Sequence, residues 1–191
     1  MTDKSNKFSN DLSVLVTQGD MLHNAMQYEC FPEKVESEIT KTLKLSPAET
    51  KAVIGKFPKF NTEYQKWFSE AQMVVKQLLP NRIDDFNSYY EYPKPRKDIT
   101  FQNYMIKDNL QGLRITRFSD VIADGSSAIP AFRQRLEILK AAHVLLNSSL
   151  LDLKGILQAD LYDSEIESAG VLAKAGWLER DHFKLRRSQH L

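Results

Sequence analysis

Very little in this chain can make a cross-link, a metal cage or a phosphate loop. Its 191 residues include one cysteine, seven glycines, seven prolines and four histidines. A single cysteine excludes an internal disulfide and a cysteine-rich zinc site, and fits a reducing compartment. Cys30 therefore reads as a small buried hydrophobe. So few glycines argue against a backbone cradle for a nucleotide, and there is no glycine-rich phosphate loop, Gly-x-Ser-x-Gly elbow or His-Glu-x-x-His. Net charge is missing as well. Lys and Arg total 26 against 25 Asp and Glu, so bulk charge points neither to a polyanion binder nor to an acidic tail protein, and a nucleic-acid role needs a local patch. No apolar run approaches the ~20 residues of a membrane span. Met1 to Asn10 is polar and lacks the apolar centre of a signal peptide. The expectation is a cytoplasmic chain with no membrane partner, no metal and no cofactor.

What is present is helical periodicity. Phe132, Leu136, Leu139, His143, Leu146, Leu150, Leu153 and Leu157 follow at gaps of four and three, the spacing that keeps one stripe of a helix facing a partner. A helix from Pro130 to Asp160 would run roughly 45 Å and form the spine of the domain. Phe8, Leu12, Leu15, Gly19, Leu22 and Met26 repeat the spacing and predict a helix over Asn10 to Glu29, with Gly19 either weakening it or admitting a neighbour closely. Pro32 opens a second helix with Val35, Ile39 and Leu43 as its stripe. Ser46 and Glu49 spell a capping box for a short helix reaching Gly55. Asn61 is the expected cap of a longer helix whose apolar face carries Tyr64, Trp67, Phe68, Ala71, Val74, Val75, Leu78 and Leu79.

Beyond Pro80 the signals shorten. Ile83, Phe86 and Tyr90 suggest a helical turn or two before Tyr92-Pro93-Lys94-Pro95, an extended linker and the natural place, near 92 to 97, for a subdomain boundary. Asp98 is the expected cap of a helix through Phe101, Met105, Ile106 and Leu110, closed by Gly112. Between 113 and 123 the period turns β-like, around Ser119 and Asp120, and Asp124-Gly125 is a turn signal, so a small hairpin is expected there. Ser126 or Ser127 would then cap the spine helix, with Pro130 in its first turn. Ser164 to Glu167 offers a further capping box for a last helix through Ile166, Ala169, Leu172 and Ala173 that ends at Gly176. Residues 179 to 191 read as a flexible charged tail.

Candidate chemistry is sparse. His143 lies on the spine stripe, but positions 139, 146 and 147 are Leu, Leu and Asn, so it reads as a core histidine and not a ligand. His23 reads as surface or core edge, and His182 and His190 belong to the tail. Asp84 and Asp85 read as helix-start charge, and neither they nor Asp120/Asp124 or Glu165/Glu167 are spaced for hydrolysis across a cleft. No catalytic residue is assigned. One patch carries a binding hypothesis. Between 94 and 118 stand six cations, Lys94, Arg96, Lys97, Lys107, Arg114 and Arg117, against two acids, Asp98 and Asp108. Tyr89, Tyr90, Tyr92, Phe101, Tyr104 and Phe118 are interleaved with them, and such mixtures grip phosphates while stacking bases. The alternative is a solvated face with its aromatics turned inward.

The run DSEIESAGVLAKAGWL, Asp163 to Leu178, resembles the opening helix and turn of HEPN-type helical domains, in which an amphipathic helix ends at a glycine followed by an aromatic. The stretch DNLQGL, Asp108 to Leu113, and the long helix into Gln158 to Leu161 are similar to the N-terminal helical part of uncharacterised bacterial proteins that carry such a domain. After Leu178 the second helix of that pattern gives way to the charged tail, so the resemblance implies a truncated or shifted relative. HEPN ribonucleases carry an Arg followed by four to six residues and a His. Here seven residues separate Arg135 from His143, and only three and two separate Arg186 and Arg187 from His190, so no catalytic residue transfers.

The fold expected is thus all-α, a multi-helix bundle around a long amphipathic helix with one small β-hairpin near 113 to 123, forming a single domain over 1 to 178. The function expected first is a non-enzymatic interaction module that associates with itself or another protein, since so long a seam exceeds what one chain can cover. An RNA or single-strand binder using Lys94, Arg96, Lys97, Tyr104, Lys107, Arg114 and Arg117 is the alternative, and a HEPN-type ribonuclease relative the third.

Overall fold

The computed structural model divides the chain after Asn147 into two units. It describes residues 3 to 147, in the first of them. The spine beyond Asn147, the helix expected from Ser164, the tail and the reach of the domain to residue 178 all lie outside the described residues. Seven α-helices and one two-stranded antiparallel sheet are described: α1 (Asp3–Cys30), α2 (Pro32–Leu43), α3 (Pro47–Ile54), α4 (Phe60–Leu78), α5 (Ile83–Ser88), α6 (Ile106–Leu110), β1 (Ile115–Arg117), β2 (Asp120–Ala123) and α7 (Gly125–Asn147). The fold is an all-α bundle with a small hairpin. None of these helices is long and apolar enough to cross a membrane.

Three helices build the core. The apolar stripes of α1 (Leu12, Leu15, Leu22, Met26), α4 (Phe60, Tyr64, Trp67, Ala71, Val75) and α7 (Phe132, Leu136, Leu139, Leu146) are all buried in one cluster. α1 and α7 run antiparallel, and their contacts march in opposite directions along the two helices. Ser9 Oγ donates to Asn147 Oδ1, Ser13 Oγ lies 2.9 Å from His143 Nε2, Lys140 Nζ sits 2.9 Å from Asp20 Oδ1, and the His23 ring stacks on Phe132. Gly19 is the crossing point. A Cβ there would lie 2.5 Å from Leu136 Cδ1 and 3.0 Å from the Trp67 ring, so this glycine admits two neighbours and does not merely weaken its helix. Trp67 also donates its indole N–H to the Leu15 carbonyl at 3.0 Å, pinning α4 to α1.

Helices start and stop where local hydrogen bonds decide. The Ser46 box forms: Glu49 N–H donates to Ser46 Oγ, and Ser46 N–H to the Glu49 carboxylate at 2.8 Å. Other expected caps move. α4 begins one residue before Asn61, with Lys59 as cap, because Phe60 is fully buried and is drawn into the helix. α1 reaches back to Asp3. Neither Ser126 nor Ser127 caps α7. Asp124 does, its carboxylate accepting from Ser126 N–H at 3.0 Å while its own N–H donates to Ser127 Oγ at 3.3 Å, a reciprocal box that starts the helix early and leaves Pro130 inside it. The helix expected from Asp98 shrinks to Ile106–Leu110. Asn103 takes the Thr100 N–H and donates to the Asp98 carbonyl, and these side-chain bonds replace the helical ones. Gly112 does follow α6 with φ +66°, as its capping role requires.

The most constrained side chain is Arg135, on α7. It is fully buried and has no carboxylate partner among the described residues. Its Nε donates to the Phe86 carbonyl at 2.9 Å, one Nη to the Asn87 carbonyl at 3.3 Å and the other to the Tyr64 hydroxyl. Phe86 and Asn87 lie in the last turn of α5, so the guanidinium adds a donor to the Phe86 carbonyl and shares the Asn87 carbonyl with the Tyr90 N–H. Its carbon stands 4.5 Å from the Phe68 ring centre and 4.9 Å from that of Phe86, with Tyr64 and Tyr90 completing an aromatic box. Burial pushes its pKa down to about 10, which leaves it charged at neutral pH. Only a planar fork reaches all three acceptors. Arg135→Lys is therefore expected to lower unfolding free energy by about 2–4 kcal/mol, and Arg135→Met by less, since the methionine removes the buried charge along with its donors. Chemical denaturation gives the order, and a lysine variant as stable as the parent would contradict the account.

Candidate interaction surface

The stretch expected to bind nucleic acid folds as a looped corner, residues 89 to 105, followed by α6 and the hairpin. Its cations have different fates. Arg96 grips Asp108 through both Nη atoms, at 2.6 and 2.8 Å, and donates to the Asn103 carbonyl at 2.8 Å. Asp108 is buried, and its Oδ2 also accepts the Met105 N–H at 2.8 Å, which closes the first turn of α6. Burial draws the Asp108 carboxyl upward, but Arg96, the Met105 amide and Lys107 outweigh it and hold the pKa below the ordinary aspartate range. Lys107 pairs with Glu91 at 2.7 Å. Tyr104 is buried, and its hydroxyl donates to the Leu113 carbonyl at 2.7 Å. Arg96, Lys107 and Tyr104 therefore hold the corner together, and the 92 to 97 segment is tied into the first unit. Lys94, Lys97, Arg114 and Arg117 are exposed and make no ion pair among the described residues.

Two surface features stand out. Glu91, Tyr92, Pro93, Lys94, Pro95, Arg96 and Ile99 line an open concavity of about 660 Å³. The second is the tip of the hairpin. The turn falls at Phe118 and Ser119, one residue earlier than expected, with Arg117 and Asp120 as the closing pair. Both turn residues have positive φ, 48° and 74°. Left-handed backbone suits Asn and Gly in such two-residue turns; a bulky residue there costs on the order of 1 kcal/mol. Phe118 gains no packing in exchange, being 95% exposed. Val121 and Ile122 behind it are 42% and 38% exposed, and Phe101 in the corner is 55% exposed. The sequence marks Phe118 as an aromatic, but nothing in it announces the left-handed backbone.

The remaining candidates are placed without forming a site. His143 is half-buried at the edge of the core, its Nε2 engaged by Ser13. His23 is half-buried too, with an Nε2 that has no hydrogen-bond partner among the described residues; burial lowers its pKa. Cys30 is half-buried beside Gly125, and burial raises its thiol to about 11. The described residues contain no cluster of His, Cys, Asp or Glu that could hold a metal ion. Residues 163 to 178, which carry the HEPN resemblance, lie outside the described residues. No protein-family model, curated protein or solved structure matches the chain.

Two outcomes follow from this geometry. Because the Asp108 pKa is depressed on folding, its contribution is full above about pH 4 and fades as pH falls through the folded value. Asp108→Asn should cost about 2–3 kcal/mol at neutral pH and flatten the loss of stability in acid, as read from denaturation midpoints across pH. Replacing Phe118 and Ser119 by Asn and Gly relieves the turn and should raise unfolding free energy by about 1 kcal/mol; a loss instead would mean that the phenylalanine serves the fold.

Proposed function

We propose that the chain is a non-enzymatic interaction module and that it offers the β1–β2 hairpin to a partner protein. One observation carries this reading: a large apolar side chain held fully in solvent on a backbone conformation that disfavours it. Backbone strain that packing does not offset concentrates at sites of contact, and this supports a role for Phe118 in a contact made outside its own fold. Exposed Val121 and Ile122 extend the apolar surface, and single aromatic anchors ringed by smaller contacts are how protein interfaces concentrate their energy. The seam of α7 supports no such reading up to Leu146, since α1 and α4 already cover it.

The second reading, a single-strand nucleic-acid binder, is favoured by the exposed Lys94, Lys97, Arg114 and Arg117. It has lost Arg96 and Lys107 to ion pairs and Tyr104 to the core, and aliphatic side chains beside Phe118 do not stack on bases. A photoreactive phenylalanine analogue at position 118, with the same analogue at exposed Lys66 as control, separates the readings. The expected result is a discrete protein adduct formed from position 118 alone. Adducts removed by nuclease would instead establish the second reading, and no adduct from position 118 would overturn both.

A further inference from the structure

Two histidines lie on the seam between α1 and α7, and they are served differently. His143 has the Ser13 hydroxyl 2.9 Å from its Nε2, an oxygen that accepts when that nitrogen carries a proton. His23 has no such partner. Its Nε2 is buried without a hydrogen bond, and among the described residues no other side-chain nitrogen or oxygen is left in that state. The ring stacks on Phe132, with centroids 6.3 Å apart and planes 22° from parallel. Phe132 in turn meets the rings of Phe60, Tyr64 and Trp67 at 5.2, 6.1 and 5.1 Å, so His23 covers the aromatic hub that joins α7 to α4.

This position suits only one protonation state. A neutral imidazole can keep its single proton on Nδ1 and turn Nε2 inward as a bare lone pair, whereas an imidazolium carries a proton on both nitrogens. The second proton would be a charged donor with no acceptor before it. Nearby charges do not compensate. Arg133 and Lys140 on α7 oppose a further positive charge, and the acids that favour it, Asp20 on α1 and Glu137 on α7, already hold Lys140 at 2.9 and 3.2 Å. The charged residues of α4, Glu63, Lys66, Glu70 and Lys76, are exposed, and that helix brings Trp67 to the seam. On α2, Glu33, Lys34, Glu38 and Lys41 are exposed, and Glu36 accepts from Tyr28. Burial above all, with Arg133 next, holds the His23 pKa below its ordinary value of 6.5.

We infer that His23 is an acid-operated latch on the α1–α7 seam: neutral, it stays stacked on Phe132; protonated, it swings off that ring into solvent and uncovers the aromatic hub. Outside, the imidazolium has Asp20 at the i, i+3 spacing at which opposite charges on one helix meet. Linkage fixes the direction. The open state takes up its proton near pH 6.5, before the closed state does, so the latch is fully closed above about pH 7.5 and loosens as pH falls through 6.5 toward the lower closed-state value. Between pH 7.5 and 5.5 the ratio of open to closed rises by up to ~10-fold, the limit for a closed state that takes up no proton in that interval.

NMR titration of the full chain tests the latch. The nuclear Overhauser contact between the His23 and Phe132 rings should be present at pH 7.5 and fade with the midpoint of His23 protonation, below pH 6.5. The Trp67 indole proton, donated to the Leu15 carbonyl, should keep its resonance through that transition, because the opening is local. His23→Phe keeps a ring on Phe132 and cannot titrate, so its Phe132 resonances should stay constant from pH 7.5 to 5.5 while those of the parent move. Protonation with the ring contact intact overturns the inference, as does a midpoint at or above 6.5. Loss of the Trp67 signal at the same midpoint would be global unfolding and overturns it too, and so does equal movement of the Phe132 resonances in parent and variant. The parent titration needs no substitution, so the latch stays testable if His23→Phe fails to fold.

Discussion

The bundle depends on a buried positive charge that no negative charge among the described residues neutralises. Taking a guanidinium out of water costs several kcal/mol, and the Arg135 site offsets this without a carboxylate, using two carbonyls at the end of α5, one phenol and the faces of four aromatic rings. Every one of those partners must be in place before the charge is tolerable. The box therefore fixes how α7 meets α4 and α5, and it explains why Tyr64, Phe68, Phe86 and Tyr90 lie as near-parallel rings, as in the 4° tilt between Tyr64 and Phe68 and the 5° tilt between Phe68 and Phe86. It also raises the Tyr64 phenol above its ordinary pKa: burial dominates, with Arg135 pulling the other way.

Much of this architecture is legible from spacing alone. The stripes of α1, α4 and α7 are read correctly because a three-four repeat has only one consistent face, and burying it is worth more than any local preference. What the periodicity misses is local competition. Asn103 bonds to its neighbours and dissolves a helix that Asp98 would have started, and Phe60 extends one that Asn61 would have capped. Arg135 stands three residues after Phe132, on the same face as the stripe. Its position was readable, but its burial was not, because pattern rules place arginine in solvent unless a carboxylate is near.

The surface is less legible, and for a definite reason. A count of charges cannot distinguish a cation that faces a ligand from one that holds a loop. Arg96 and Lys107 look like Lys94 and Lys97 in sequence, yet Asp108 is buried and Glu91 lies across from Lys107, and those two acids consume them. The aromatics divide in the same way. Tyr104 points inward and donates its hydroxyl to Leu113, whereas Phe118 points outward. Sequence gives the residues of such a patch, and tertiary partners decide which of them remain available.

The mounting of the hairpin has a mechanical consequence. Ala123 is buried, and the next residue, Asp124, already belongs to the reciprocal cap of α7, so no slack separates the last strand residue from the helix. Strand and helix are joined without a linker, and about three turns along α7 from that joint stands Arg135 in its ring of aromatics. Whatever engages the hairpin does so at the head of the helix that carries the bundle's buried charge.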